Sequence, residues 1–172
     1  MICCSANAPS QDLPECSTIS KTDMQPLELP PRQILSSVIE VYYNAVWSTF
    51  PILPTRPTLE ALLSSVPVHS YSFITVLLAL CAYCGRLLPS PADGAALDRW
   101  YGQARSGVDT CIKKGSSVEV AQALLLLAMN DHGKGNDSQA WLLVGNVLSL
   151  LRSRYDSYRT QAWLYVWVKI LT

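Results

Sequence analysis

The sequence predicts an all-α fold: a bundle or array of about six to seven helices behind a proline-rich N-terminal lead-in. Three observations predict it. Apolar residues recur at helical spacing over most of the chain after residue 31, and no period-2 alternation competes over more than a few residues. All eleven prolines fall within the first 91 residues, so helix can run through the remainder with breaks only at glycine. Most apolar stretches are bracketed by Ser, Asp, Asn or Gly, the residues that start and stop helices.

Residues 1–31 hold five prolines, few large apolar side chains and four carboxylates (Asp12, Glu15, Asp23, Glu28) against Lys21. Such a segment reads as a linker or disordered lead-in, which leaves residues 32–172 as the helical domain. A first helix follows Pro30-Pro31, carries Ile34, Leu35, Val38, Tyr42, Val46 and Trp47 on one face, and ends at Phe50-Pro51. Residues 50–57, with three prolines, are expected to be extended, and Thr58 to cap a short helix through Leu63. A long buried helix is expected over residues 72–88, followed by a Pro-Ser-Pro turn. Asp93 can cap a helix running to Lys114, closed by Gly115 as a left-handed residue. Ser116-Ser117-Val118-Glu119 offers a Ser-x-x-Glu capping box for the next helix. That helix stops at His132-Gly133-Lys134-Gly135, and Asn136-Asp137-Ser138 caps the helix bearing Trp141. Asp156-Ser157 starts a last one.

A chain of 172 residues suits one domain with a sizeable core, and 49% hydrophobic against 15% charged residues describes a globular interior. The formal net charge is zero and basic residues do not cluster beyond Lys113-Lys114 and Arg152, Arg154, Arg159. Those groups read as helix ends and solvated faces, so direct nucleic-acid binding by this chain is not expected. The longest apolar run, residues 73–84, is shorter than the ~20 residues a bilayer requires. No membrane role is expected. Residues 1–33 also lack the basic and apolar regions of a secretory signal.

The six cysteines do not form a zinc or disulfide pattern. Cys81 and Cys84 share one face of an apolar helix and read as core residues, while Cys111 supplies no second ligand pair. Cys3, Cys4 and Cys16 lie in the lead-in. His132 sits beside Asp131, whose carboxylate it can meet; the favoured reading is a cap on the preceding helix. His69 reads as a loop or cap residue. Gly133-x-Gly135 follows a helix rather than a strand, so it reads as freedom for a sharp turn and not as a phosphate loop. Trp163 and Trp167, spaced i, i+4 with Tyr158, Arg159 and Tyr165 nearby, read as an amphipathic face rather than a nucleic-acid stacking platform. No residue is assigned a catalytic, cofactor-binding or metal-binding role, and no enzyme signature is present.

Several segments nevertheless form a pattern. Tyr42-Tyr43 precedes Phe50-Pro51-Ile52-Leu53 and Arg56-Pro57-Thr58-Leu59; an apolar helix covers residues 73–88; Trp100-Tyr101-x-x-Ala104-Arg105 follows. Then come Leu124-Leu125-Leu126-Leu127, Asp131-His132-Gly133-Lys134-Gly135-Asn136, Ala140-Trp141 and Gly145. In that order they resemble the middle homology region of fungal transcription regulators with a binuclear zinc-cysteine DNA-binding domain. Pro54 stands where the family pattern has histidine, and Leu59 where it has phenylalanine.

The likeness covers residues 34–163 and implies a partial regulatory domain over residues 32–172. The zinc-cysteine cluster of such proteins has no counterpart here, and the family's later helices are also missing. The resemblance therefore implies the first part of a regulatory domain, nuclear, acting through protein partners or self-association, with zinc and DNA reached only through a module absent from this chain. The alternative is a stand-alone helical interaction module that dimerises through the Trp163/Trp167 face.

Overall fold

The fold is known from a computed structural model, which describes residues 26–64, 70–115 and 117–154. Those residues form six α-helices and one π-helical turn, with no strand among them. The helices are α1 (Arg32–Val41), α2 (Arg56–Ser64), α3 (Tyr71–Cys84), α4 (Gly94–Lys114), α5 (Val118–Gly133) and α6 (Asp137–Arg154). The all-α architecture expected from the sequence is thus the one observed. The last expected helix, with Trp163 and Trp167, lies outside the described residues, as do Cys3, Cys4, Cys16 and His69.

α3 and α5 make the centre. Residues 75–82 of α3 and residues 123–131 of α5 are buried without interruption, the signature of helices covered on every side. Each packs against α4, α1 leans on α3, and α6 runs back along α5. Leu77, Leu78, Leu80, Leu124, Leu126 and Leu127 are fully enclosed, each burial contributing roughly 2 kcal/mol of transfer free energy. α4 is one-sided. Trp100, Ala104, Gly107, Val108 and Cys111 are buried, while Asp98, Arg99 and Asp109 face outward.

One glycine sets the α3–α4 distance. A Cβ on Gly107 would stand 2.5 Å from Thr75 Oγ1 and 2.9 Å from its Cγ2, so the helices cross where a side chain is missing. Thr75 is buried and turns its hydroxyl back to the Tyr71 carbonyl at 2.9 Å, which satisfies it within its own helix. Cys81 and Cys84 are both fully buried, as the core reading requires. Burial raises both thiols, Cys84 to about 12, so neither forms a thiolate near neutral pH.

Several boundaries differ from expectation for local reasons. α1 does not stop cleanly before Pro51 but widens into the π turn Tyr42–Val46, where the Trp47 N–H reaches the Tyr42 carbonyl at 2.8 Å. α2 starts at Arg56, not after Thr58, because the Leu59 N–H bonds the Thr55 carbonyl and Pro57 occupies a first-turn position whose N–H has no partner to lose. Thr58 therefore lies inside the helix, with its hydroxyl 2.9 Å from that of Thr55. α3 ends at Cys84, four residues early. A Cβ on its cap Gly85 would meet Leu97 at 2.7 Å, so the chain turns there against α4.

The helix caps of α4 sit at the expected positions but differ in chemistry. Asp93 does precede α4, but its side chain makes no capping bond. Gly115 does close it at φ 113°, with an extended ψ of 127° rather than a left-handed helical one. Ser116 of the expected capping box lies outside the described residues; the N-cap of α5 is Ser117, whose side chain makes no capping bond, and Glu119 falls at the second helical position. Ser117 Oγ is buried without a partner.

Candidate functional site

The α5–α6 turn gathers polar side chains from α4, α5, α6 and the segment after α3. α5 terminates in a Schellman arrangement: the Gly135 N–H donates to the His132 carbonyl at 2.9 Å and the Asn136 N–H to the Asp131 carbonyl at 2.9 Å. Gly135 has φ 78°, the left-handed value this closure needs. Gly133 is still helical. Its lack of a side chain serves a different end, since a Cβ there would lie 3.3 Å from the Arg86 guanidinium. The Asn136 carbonyl then accepts from the Ala140 N–H at 3.0 Å and opens α6.

α4 holds this turn through one polar face. Asp98, Tyr101 and Arg105 fall at i, i+3 and i+7. The Tyr101 hydroxyl donates to Asp131 Oδ2 at 2.8 Å, and Lys134 Nζ donates to Asp98 at 3.0 Å. Lys134 also stands 5.4 Å from the centre of the Tyr101 ring. With its amide oxygen turned toward α4, Gln139 accepts from both Arg105 terminal nitrogens at 3.3 Å. Asp131 is only 3% exposed, so the Tyr101 bond supplies a partner to a charge that water barely reaches. Burial, then the Asp131 carboxylate, pushes the Tyr101 hydroxyl up to about 12.

Arg86, after α3, completes the arrangement from the other side. Its Nη1 donates to the Asn130 carbonyl at 3.3 Å and its Nη2 to the Gly133 carbonyl at 3.1 Å, with Asn130 Oδ1 3.5 Å from Nη1. A cation thus satisfies the last carbonyls of α5, at the negative end of the helix dipole. The sequence suggested His132 for that task, or for pairing with Asp131. Neither is observed. His132 Nδ1 faces Asp137 Oδ1 at 2.8 Å, and with side chains 49% and 64% exposed the pair contributes little. Because the carboxylate can only accept, Nδ1 carries the proton of this bond.

Beside Arg86 a groove encloses about 440 Å³. Phe50, Leu87, Met129, Ala140 and Val144 supply apolar walls, with Arg86 and His132 among the lining residues. The groove lies between the Phe50 segment and the α5–α6 hairpin. The Phe50 segment is itself fixed by Tyr42, whose hydroxyl donates to the Phe50 carbonyl at 2.9 Å and accepts from the N–H groups of Ile52 and Leu53 at 2.9 and 3.0 Å. Tyr43 donates to the Pro54 carbonyl, and Gln122 of α5 donates to the Ile52 carbonyl at 2.8 Å.

Among the described residues no group of three or more His, Cys, Asp or Glu side chains converges on a metal-sized site. None of the described helices is long and apolar enough to cross a membrane. The basic pair Lys113 and Lys114 occupies the last turn of α4, where cations meet the dipole favourably. Arg86 and the Tyr42 hydroxyl are the two groups that sequence reasoning passed over. A signal existed for each: an arginine directly after an apolar helix, and a tyrosine eight residues before a proline-bounded extended segment. Neither signal names a partner.

Comparison with protein-family models, with curated proteins and with solved structures finds no match to this chain.

Proposed function

We propose that this chain is part of the regulatory domain of a fungal zinc-cluster transcription regulator, acting in the nucleus through protein contacts and not as an enzyme. The observation that carries the reading is the order of its motif segments, from Tyr42-Tyr43 through Asp131-His132-Gly133-Lys134-Gly135-Asn136 to Ala140-Trp141. Its motif residues also serve one another structurally. Tyr42 and Tyr43 fix the Phe50–Pro54 segment, and Tyr101 fixes the turn at Asp131. A helical platform held in this way suits a domain that transmits contacts rather than one that performs chemistry.

DNA recognition belongs, in this reading, to a zinc-cysteine module that the sequence does not contain. The reading is tested by tethering the chain to an unrelated DNA-binding module beside a constitutive activation domain in a fungal host. Reporter output is expected to fall or to become condition-dependent relative to the tether alone, with the fusion nuclear. Unchanged output from an abundant nuclear fusion would count against it.

A second reading, a stand-alone interaction module, is favoured by Trp141 and Leu142. They are 47% and 64% exposed on adjacent positions of α6, a sizeable apolar area left to solvent by the described residues. Sedimentation separates the readings: concentration-dependent dimerisation that Trp141→Ser abolishes, with an inert reporter, supports the module.

A further inference from the structure

We propose that the groove between the Phe50 segment and the α5–α6 hairpin binds an amphiphilic monoanion, a carboxylate on an apolar body, with Arg86 as the anion's partner. The inference rests on the groove itself and does not require the regulatory reading.

Size and lining define the apolar part. A volume of about 440 Å³ falls within the range of small-molecule sites. Phe50, Leu87, Met129 and Val144 offer flexible and aromatic surface, with the small residues Ala128 and Ala140 between them. Besides Arg86 and His132, only the half-buried Tyr83 brings a hydrogen-bonding side chain to the lining, so the wall that faces the ligand's body is mainly apolar.

Charge defines the head. A guanidinium has five N–H donors, and among the described residues Arg86 uses them only on the Asn130 carbonyl, the Asn130 side-chain oxygen and the Gly133 carbonyl. At least two donors remain. None of these acceptors is a carboxylate, and no described acid forms an ion pair with Arg86. The α5 dipole offsets about half a charge, which leaves a net positive site on an apolar wall. Two backbone carbonyls hold the guanidinium in place, so an incoming carboxylate meets a donor already ordered and loses little entropy in finding it.

His132 limits the alternatives. Its Nδ1 proton is committed to Asp137, and Arg86 is the one permanent cation among the groove's lining residues. An anion therefore addresses Arg86 and not the histidine. A cationic ligand would place its charge against Arg86, and a neutral one would leave that charge without a counter-ion.

The test is a titration of the full chain, labelled with ¹⁵N, by decanoate and separately by decan-1-ol, followed by amide chemical shifts. Decanoate is expected to shift the amides of Ala128, Met129 and Gly133 and to bind about ten-fold more tightly than the alcohol, the size of one charge-assisted contact. Arg86→Gln should erase that difference. Because Arg86 also caps α5, Leu87→Asp serves as the independent variant: Leu87 is half exposed and tolerates a polar side chain, so the fold is kept, and while the lost apolar wall weakens both probes, the added charge should weaken decanoate several-fold more than the alcohol. Equal binding of the two probes, or shifts confined to other residues, overturns the proposal. So would groove shifts that grow with protein concentration alone, which would assign the groove to a second copy of the chain.

Discussion

The Tyr101 hydroxyl donates a 2.8 Å hydrogen bond to the carboxylate of Asp131, thirty residues further along and 3% exposed. This contact joins α4 to the turn between α5 and α6, and it defines what that turn is for. Removing the donor strands a charge. Tyr101→Phe is expected to cost about 2 kcal/mol, because an acceptor bearing charge is left without its partner in a site water hardly enters. Urea unfolding at neutral pH reads the loss as a lower midpoint with an unchanged slope.

Tyr42→Phe should cost about 3 kcal/mol by a different route. One hydroxyl serves the Phe50 carbonyl and the Ile52 and Leu53 N–H groups, and the latter two bonds are buried. Phenylalanine keeps the packing, leaves the buried Leu53 N–H without an acceptor and leaves the Ile52 N–H only its 2.8 Å bond to the Phe50 carbonyl. Amide exchange should accelerate at Ile52 and Leu53 well before it does in α3. Equal protection of both regions would contradict this assignment.

The alkaline limb of stability follows from the same groups. Burial pushes the Tyr42, Tyr43 and Tyr101 hydroxyls from 10.0 up to about 12. A raised folded value means that the neutral phenol is the form the fold favours. Its contribution is complete below pH 10 and is lost as pH climbs through about 12. Phenolate absorbance and helicity should therefore change together between those values. Ionisation of all the tyrosines near pH 10 with the helices intact would contradict the burial described for them.

Gly107→Ala tests the α3–α4 crossing. The new methyl would lie 2.5 Å from Thr75 Oγ1, and the helices must separate or Thr75 must move. A loss of about 1–3 kcal/mol is expected, as for other overpacked contacts. Thr75→Ala in the same chain should recover most of it. Thermal melts of the two single variants and the double variant decide the matter.

Pro31, Asp93, Gly115 and the Gly135 turn mark element boundaries through local backbone chemistry, which one sequence carries in full. α3 and α5 were legible as buried because their apolar residues leave no polar face. Boundaries failed where tertiary packing intervened, as at Gly85 against Leu97, or where the ladder changed step, as in the π turn after Val41.

The site was less legible. Arg86 reaches the Asn130 and Gly133 carbonyls across 44 and 47 residues, and no periodicity encodes a partner at that distance. His132 was the more conspicuous residue in the turn, yet the cap it suggested is made by Arg86. Spacing shows which residues share a face; it does not say what that face meets.

The central claim is that α4 and the motif turn form one energetic unit through Tyr101 and Asp131. A double-mutant cycle with Tyr101→Phe and Asp131→Asn, read by urea unfolding of the full chain, measures that coupling directly. The account predicts an interaction energy of about 1–2 kcal/mol, since the second substitution removes the charge that the first leaves unpaired. Losses that simply add, within about 0.3 kcal/mol, would mean that the two residues do not hold the turn together.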